Sequence, residues 1–271
     1  MNKEQFWQII DDSRKKNGDL ERMYNHLVYT LCQLEVPQII RWKQVFDEYM
    51  ALSYKEKLWA AASIMQNGCS DDGFDYFRAW LIMQGKDVFL KALYEPDTLA
   101  NNDTTKAIAR EMNLLHYTPM KGYRNNARFE GIMYAASEAY ERKTKPNNFY
   151  DKLNKTQIPK KIKAEIMDEV KYAADIDVKW HDWDASNSDE CELLKNLLPQ
   201  LHKTFRERSS GTSATYLVRI TQTLEGYVEI DANGEEEAIS IAQKTFTTQK
   251  EPLPDMENAC ELQFNIVNTW R

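Results

Sequence analysis

The sequence predicts an α+β chain: a large all-α helical domain over residues 1–206, a linker at 207–213 and a small ββαβ domain over 214–271. Apolar residues recur at helical spacing almost without interruption as far as Arg206. Arg208-Ser209-Ser210-Gly211-Thr212-Ser213 is a polar stretch of the kind that joins folded segments. Beyond it the period changes to two, with Tyr216, Val218 and Ile220 alternating with Leu217, Arg219 and Thr221. A length of 271 residues, 42% of them hydrophobic and 11% aromatic, suffices for one sizeable core and a smaller companion.

Phe6, Ile9 and Ile10 suit a first helix, and Asp19 can cap a second in which Met23, Leu27, Leu31 and Leu34 repeat at helical spacing. Pro37 fits the first turn of a third, through Ile40, Val45, Phe46 and Met50. The alanine-rich segment 55–65 favours helix and stops at Asn67-Gly68. Ser70 then caps a helix that opens on Asp71 and Asp72, both well placed against the positive end of its dipole, and closes at Gly85. Lys86 to Tyr94 forms a short helix before Pro96. Residues 101–125 read as a connection with one short helix, 127–144 as a continuous helix, and 147–157 as a loop. Pro159 can begin a helix through Ile162, Ile166 and Val170. A further helix opens at Ser188-Asp189 and runs toward Phe205, with Pro199 bending it or standing near its start. In the tail, a hairpin of 216–221 and 227–230, an amphipathic helix over 235–246 and a strand through Leu262, Phe264 and Ile266 complete ββαβ.

Charge is unevenly spread. Ala214 to Arg271 carries 4 basic and 10 acidic residues, so it holds −6 of the net −7, and the rest of the chain is nearly neutral. Within that neutral part, Arg142 to Lys163 holds eight basic residues against Asp151 alone. The N-terminus lacks the basic start and apolar run of a secretory signal, and no apolar segment is long enough to span a bilayer, so a soluble, cytoplasmic protein without membrane association is expected. Cys32, Cys69, Cys191 and Cys260 are single and widely spaced, which fits packed thiols better than a zinc site or a disulfide framework. His26, His116, His181 and His202 show no ligand spacing, and P-loop, Gly-x-Gly-x-x-Gly and Gly-x-Ser-x-Gly motifs are missing, so no metal or cofactor is assigned.

Several separated blocks, in order, resemble the bacterial family catalogued as domain of unknown function 4240. They are Phe6-Trp7, Leu58-Trp59-Ala60-Ala61, Gly68-Cys69-Ser70-Asp71-Asp72 with Phe74, Phe77-Arg78 and Trp80-Leu81-Ile82, Gly85-Lys86, Pro96-Asp97 with Leu99-Ala100, Glu138-Ala139-Tyr140-Glu141 and the Trp183 to Leu201 region. The resemblance covers residues 1–206. The tail, 214–271, resembles the DpnD/PcfM-like family through Tyr216 to Leu224, Val228 to Ala232 and Glu235 to Ala238. These resemblances imply a bacterial or mobile-element setting and no particular reaction.

The densest chemistry lies between Asn67 and Ile82. On a 3.6-residue period Asp71, Asp75 and Arg78 share a narrow stripe among Phe74, Phe77, Trp80 and Leu81, so the charges should be partly buried. Asp71, Asp72, Asp75, Arg78 and Trp80 are therefore a candidate binding cleft, to which Glu138 and Glu141 could add carboxylates from another helix. A capped helix with an Asp75–Arg78 pair is the simpler account. Cys69, without a histidine partner in the pattern, fits a packed thiol better than a nucleophile. Lys152, Lys155, Lys160, Lys161 and Lys163 could contact phosphates, with Phe149 and Tyr150 as stacking groups, although the acidic molecule as a whole disfavours nucleic acid. The expected function is a non-enzymatic protein-interaction or regulatory module, binding an unknown protein partner or itself. Two alternatives stand beside it: a hydrolase or transferase that takes an anionic substrate into the Asp/Asp/Arg cleft, and nucleic-acid association through the basic segment 142–163.

Overall fold

The computed structural model describes residues 1–15, 20–114, 127–144, 148–172, 188–206, 214–221, 225–248 and 263–270. The chain separates into two compact units, Met1–Ile108 with Gly122–Thr204 and Ala109–Lys121 with Phe205–Arg271.

In the first unit α1 (Lys3–Arg14) begins with a capping box: the Asn2 side chain accepts from the Gln5 backbone N–H, and the Gln5 side chain accepts from that of Asn2. Helix α2 (Leu20–Gln33) buries Leu27, Val28 and Leu31. Pro37 lies in the first turn of α3 (Val36–Leu52), which buries Ile40, Val45, Phe46 and Met50 as their spacing requires. Helix α4 (Glu56–Gln66) ends in a left-handed Asn67, φ 54°, followed by Gly68 at φ 104°. Next come α5 (Asp71–Ile82), α6 (Lys86–Tyr94), a 3-10 turn η1 (Pro96–Asn101) and α7 (Asp103–Leu114), whose residues from Ala109 on are counted with the second unit.

Two local expectations are corrected here. The helix foreseen over 127–144 is a 3-10 turn, η2 (Glu130–Tyr134), followed by α8 (Ala135–Lys143). The backbone N–H of Phe129 donates to the Tyr76 carbonyl at 2.9 Å, a tertiary bond at the entry to this turn that no local pattern encodes. The loop foreseen over 147–157 contains α9 (Phe149–Lys155). Its single buried residue, Phe149, meets the Tyr140 ring edge-on at 5.4 Å, so packing supports a helix too short to show a period. Helix α10 (Lys160–Glu169) follows Pro159, and Pro199 divides the next segment into α11 (Ser188–Leu197) and α12 (Pro199–Arg206).

The core of this unit is aromatic. Phe6, Trp7, Trp42, Phe46, Tyr49 and Phe89 form one cluster, and Trp59 stacks on Phe74 at 4.6 Å in another.

In the second unit the tail's strands β1 (Ala214–Thr221), β2 (Glu225–Ala232) and β3 (Gln263–Trp270) pair antiparallel in the order β2-β1-β3, beside α13 (Glu235–Thr248). These short segments do not set the class. The described residues are mostly helical, so the α+β expectation with its ββαβ domain is corrected to a mostly all-α protein. Alternation fixes local extension, whereas the class follows the elements that make up most of the fold, and among the described residues those are helices. The Asp19 cap, the 207–213 linker, His116, His181 and Cys260 lie outside the described residues.

Candidate functional site

Ser70, in extended conformation, caps α5 by accepting from the Gly73 backbone N–H at 3.1 Å. Asp71 and Asp72 stand exposed in the first turn, where the helix dipole favours them. One turn on, Asp75 receives a hydrogen bond from Arg78, whose other terminal nitrogen donates to the Met50 carbonyl at the end of α3. The Arg78 guanidinium lies 4.9 Å from the centroids of both the Tyr54 and Phe74 rings. Only 5% of Arg78 reaches solvent, while the Asp75 side chain remains 39% exposed. Burial lowers the Arg78 pKa, and the carboxylates of Asp75 and Asp71 oppose that shift. Tyr54 is 48% exposed, and desolvation, with Asp71 next, raises its pKa. Asp71, Asp75, Arg78 and Tyr54 thus form one coupled group, with the cation inside and two carboxylates and a phenol ring at the rim.

Trp80 is buried against Phe77, 5.6 Å away, as part of the core. Glu138 has partners of its own: it accepts from the Tyr24 hydroxyl and pairs with Arg142. Burial and that carboxylate push the Tyr24 pKa upward. Glu141, one turn further, accepts from Ser137 at 3.3 Å. Cys69 is buried, and desolvation pushes its thiol up to about 12, so it stays protonated at neutral pH. Lys152, Lys155, Lys160, Lys161 and Lys163 are all exposed. Lys163 pairs with Glu48 at 2.8 Å, and Lys161 lies 3.9 Å from Glu165.

Periodicity did not reveal a second constellation. Glu169, at the end of α10, has a side chain only 12% exposed and receives Lys3 at 2.8 Å and Lys86 at 2.7 Å on Oε2. Its other oxygen accepts from the Tyr49 hydroxyl, whose own oxygen accepts from the Trp7 indole N–H at 2.9 Å. Burial opposes ionisation of Glu169, yet the bonds from Lys3, Lys86 and Tyr49 hold its pKa below the ordinary value. Desolvation and the carboxylate raise that of Tyr49. The only sequence hints were Trp7 and Lys86, each inside a block that carried the family resemblance; nothing local joins residues 3, 49, 86 and 169.

Among the described residues no group of three or more His, Cys, Asp or Glu side chains is placed to hold a metal ion, and no helix is long and apolar enough to cross a membrane. No curated protein and no solved structure shows a significant match to the chain. A family model matches residues 1–142, which shortens the expected coverage of 1–206 and leaves the Trp183 to Leu201 block outside it. The expected likeness of the tail to DpnD/PcfM-like proteins finds no support. With just over half its length matched, the chain belongs to the family described as protein of unknown function (DUF4240).

Proposed function

We propose that the helical unit is a non-enzymatic interaction module whose docking surface is the rim of the α5 entrance, and that it takes a cationic segment of a partner protein. The observation that carries this reading is the commitment of Arg78. Its guanidinium is buried, bonded to the Met50 carbonyl and Asp75, and covered by two aromatic rings, which suits a scaffold rather than a clamp for an anionic substrate. What faces outward is acidic: Asp71 and Asp72 are exposed and Asp75 is partly so, with the half-exposed Tyr54 ring close to Asp71 and Asp75. Carboxylates beside an exposed aromatic ring complement lysine or arginine side chains, in charge and through cation–π contact.

The test uses the full chain and its D71K/D72K variant, which spares the Asp75–Arg78 pair. Crosslinking should map lysine-rich partner segments onto the start of α5, with capture falling as salt rises and lost in the variant while its unfolding midpoint is retained. Equal capture by the two proteins would overturn the proposal.

A second reading has its own support. Lys152, Lys155 and Lys160 are exposed, and Tyr150, on the same short helix as Lys152 and Lys155, is 49% exposed, residue types suited to phosphate and base contacts. It predicts retention on single-stranded DNA or RNA that weakens with salt and disappears when these three lysines are changed to glutamine.

A further inference from the structure

We infer that Lys3, Lys86 and the Tyr49 hydroxyl form a receptor site for a compact oxyanion, a carboxylate or a phosphate, and that Glu169 fills it as a tethered, displaceable occupant. Three donors from α1, α3 and α6 converge on the two oxygens of one carboxylate. Two ammonium groups within hydrogen-bonding distance of the same oxygen repel each other unless an anion lies between them. The Tyr49 hydroxyl is held in place from behind, because its oxygen receives the Trp7 indole N–H while its ring packs against Phe6, Trp7 and Phe89 at centroid distances of 4.8 to 5.5 Å. That donor is fixed before any ligand arrives, which lowers the ordering cost of binding.

The origin of the parts matters as much as their geometry. All donors fall within residues 1–142, the segment matched by the family model, whereas the carboxylate comes from α10, beyond it. Helix α10 is lightly held: Ile166 is its one buried residue, Val170 follows it, and Lys160, Lys161, Lys163, Met167 and Asp168 are exposed. Its other ties include the Lys3 ammonium donating to the Glu165 carbonyl at 3.0 Å, the Lys163–Glu48 pair and the Tyr172 hydroxyl donating to the Leu52 carbonyl at 3.0 Å, so Lys3 keeps one anchor on α10 when its bond to Glu169 is exchanged for an anion. The Lys86 side chain, 33% exposed, marks the open edge through which a free anion would reach the site. Placing an anion there releases Glu169, and with it the helix that carries it. The site is therefore both a binding site and a latch on α10.

The experiment compares the full-length protein with E169Q, which keeps the shape of the occupant and removes its charge. Inorganic phosphate and acetate are titrated separately at constant ionic strength, and binding is followed by the NMR shift of the Trp7 indole N–H. Because an internal occupant reduces apparent affinity by the fraction of time the site is open, E169Q should bind at least one of the two probes about ten-fold more tightly than the native chain. K86M/E169Q should lose that gain. Which probe gains more distinguishes carboxylate from phosphate chemistry. In the native chain, amide exchange across α10 should speed up at saturating anion. Affinities equal within two-fold in the native chain and E169Q, or a gain in E169Q that survives K86M, would overturn the inference. If E169Q fails to fold, unchanged α10 exchange in the native chain at saturating phosphate and acetate would overturn it alone.

Discussion

Arg78 shows how one residue can look like chemistry in a sequence and act as structure in the fold. Its stripe with Asp71 and Asp75 followed from helical spacing, but the acceptor that fixes its role, the Met50 carbonyl, lies 28 positions away and left no local trace. The two halves of the pair are unequally buried, so their loss should cost unequally. Replacing Arg78 with methionine leaves the Met50 carbonyl without its charged donor and should lower stability by about 2–3 kcal/mol. D75N acts on a carboxylate still in contact with water and should cost less than about 1 kcal/mol. Urea unfolding of the two variants checks the ordering; equal losses would mean that the carboxylate, not the carbonyl, is the main anchor. Cysteine reactivity gives a second check at this scale. With its thiol pushed up to about 12, Cys69 should resist iodoacetamide in the folded protein, while exposed Cys191 is alkylated first. Peptide mass spectrometry reads the order directly.

At the level of elements, what could be read in advance was what is encoded within a turn or two. The Ser70 cap with its two aspartates, the Asn67-Gly68 stop and Pro37 in a first turn are all local devices, and each stands where the sequence implied. The missed features depend on distant partners: η2 is tied at its entry to the Tyr76 carbonyl, and α9 is held by Phe149. The blocks that carried the family resemblance have comparable explanations. The Trp59 indole donates to the Cys69 carbonyl at 2.9 Å, joining α4 to the turn before α5. Asp97, nearly buried in η1, accepts from the backbone N–H groups of Gln200 and Leu201 and so caps α12 from outside its own segment. Gly85 has φ 90°, and a Cβ there would lie 2.0 Å from the Arg14 guanidinium. That side-chain tip can swing away, but φ 90° with ψ 166° is a conformation that essentially only glycine adopts, so G85A should cost about 1–3 kcal/mol for the backbone, comparable to G68A, which meets open space at φ 104°. Thermal unfolding of both variants tests this. A much larger loss for G85A alone would show that Arg14 is locked to Asp11.

For the whole molecule, the class departs from the sequence expectation because a period of two marks local extension wherever it occurs, while the class follows the helices that make up most of the described chain. The Glu169 network could not be foreseen for a related reason, since it joins α1, α3, α6 and α10 through residues as much as 166 positions apart. Its global consequence is a dependence of stability on pH. Glu169 has a lowered pKa in the folded chain, so it adds stability above its ordinary value of 4.5, and the gain disappears as pH falls through the folded value. Tyr49 has a raised pKa, so its contribution is complete below 10 and declines as pH rises beyond that. The native chain should therefore exceed E169Q in stability by a constant margin near neutrality, and the margin should close as the solution is acidified below 4.5. Urea midpoints for the two proteins at successive pH values measure that margin directly. A margin that stayed constant into strong acid would mean that the carboxylate is no better held in the folded chain than in the unfolded one, and that the lysines serve only their own helices.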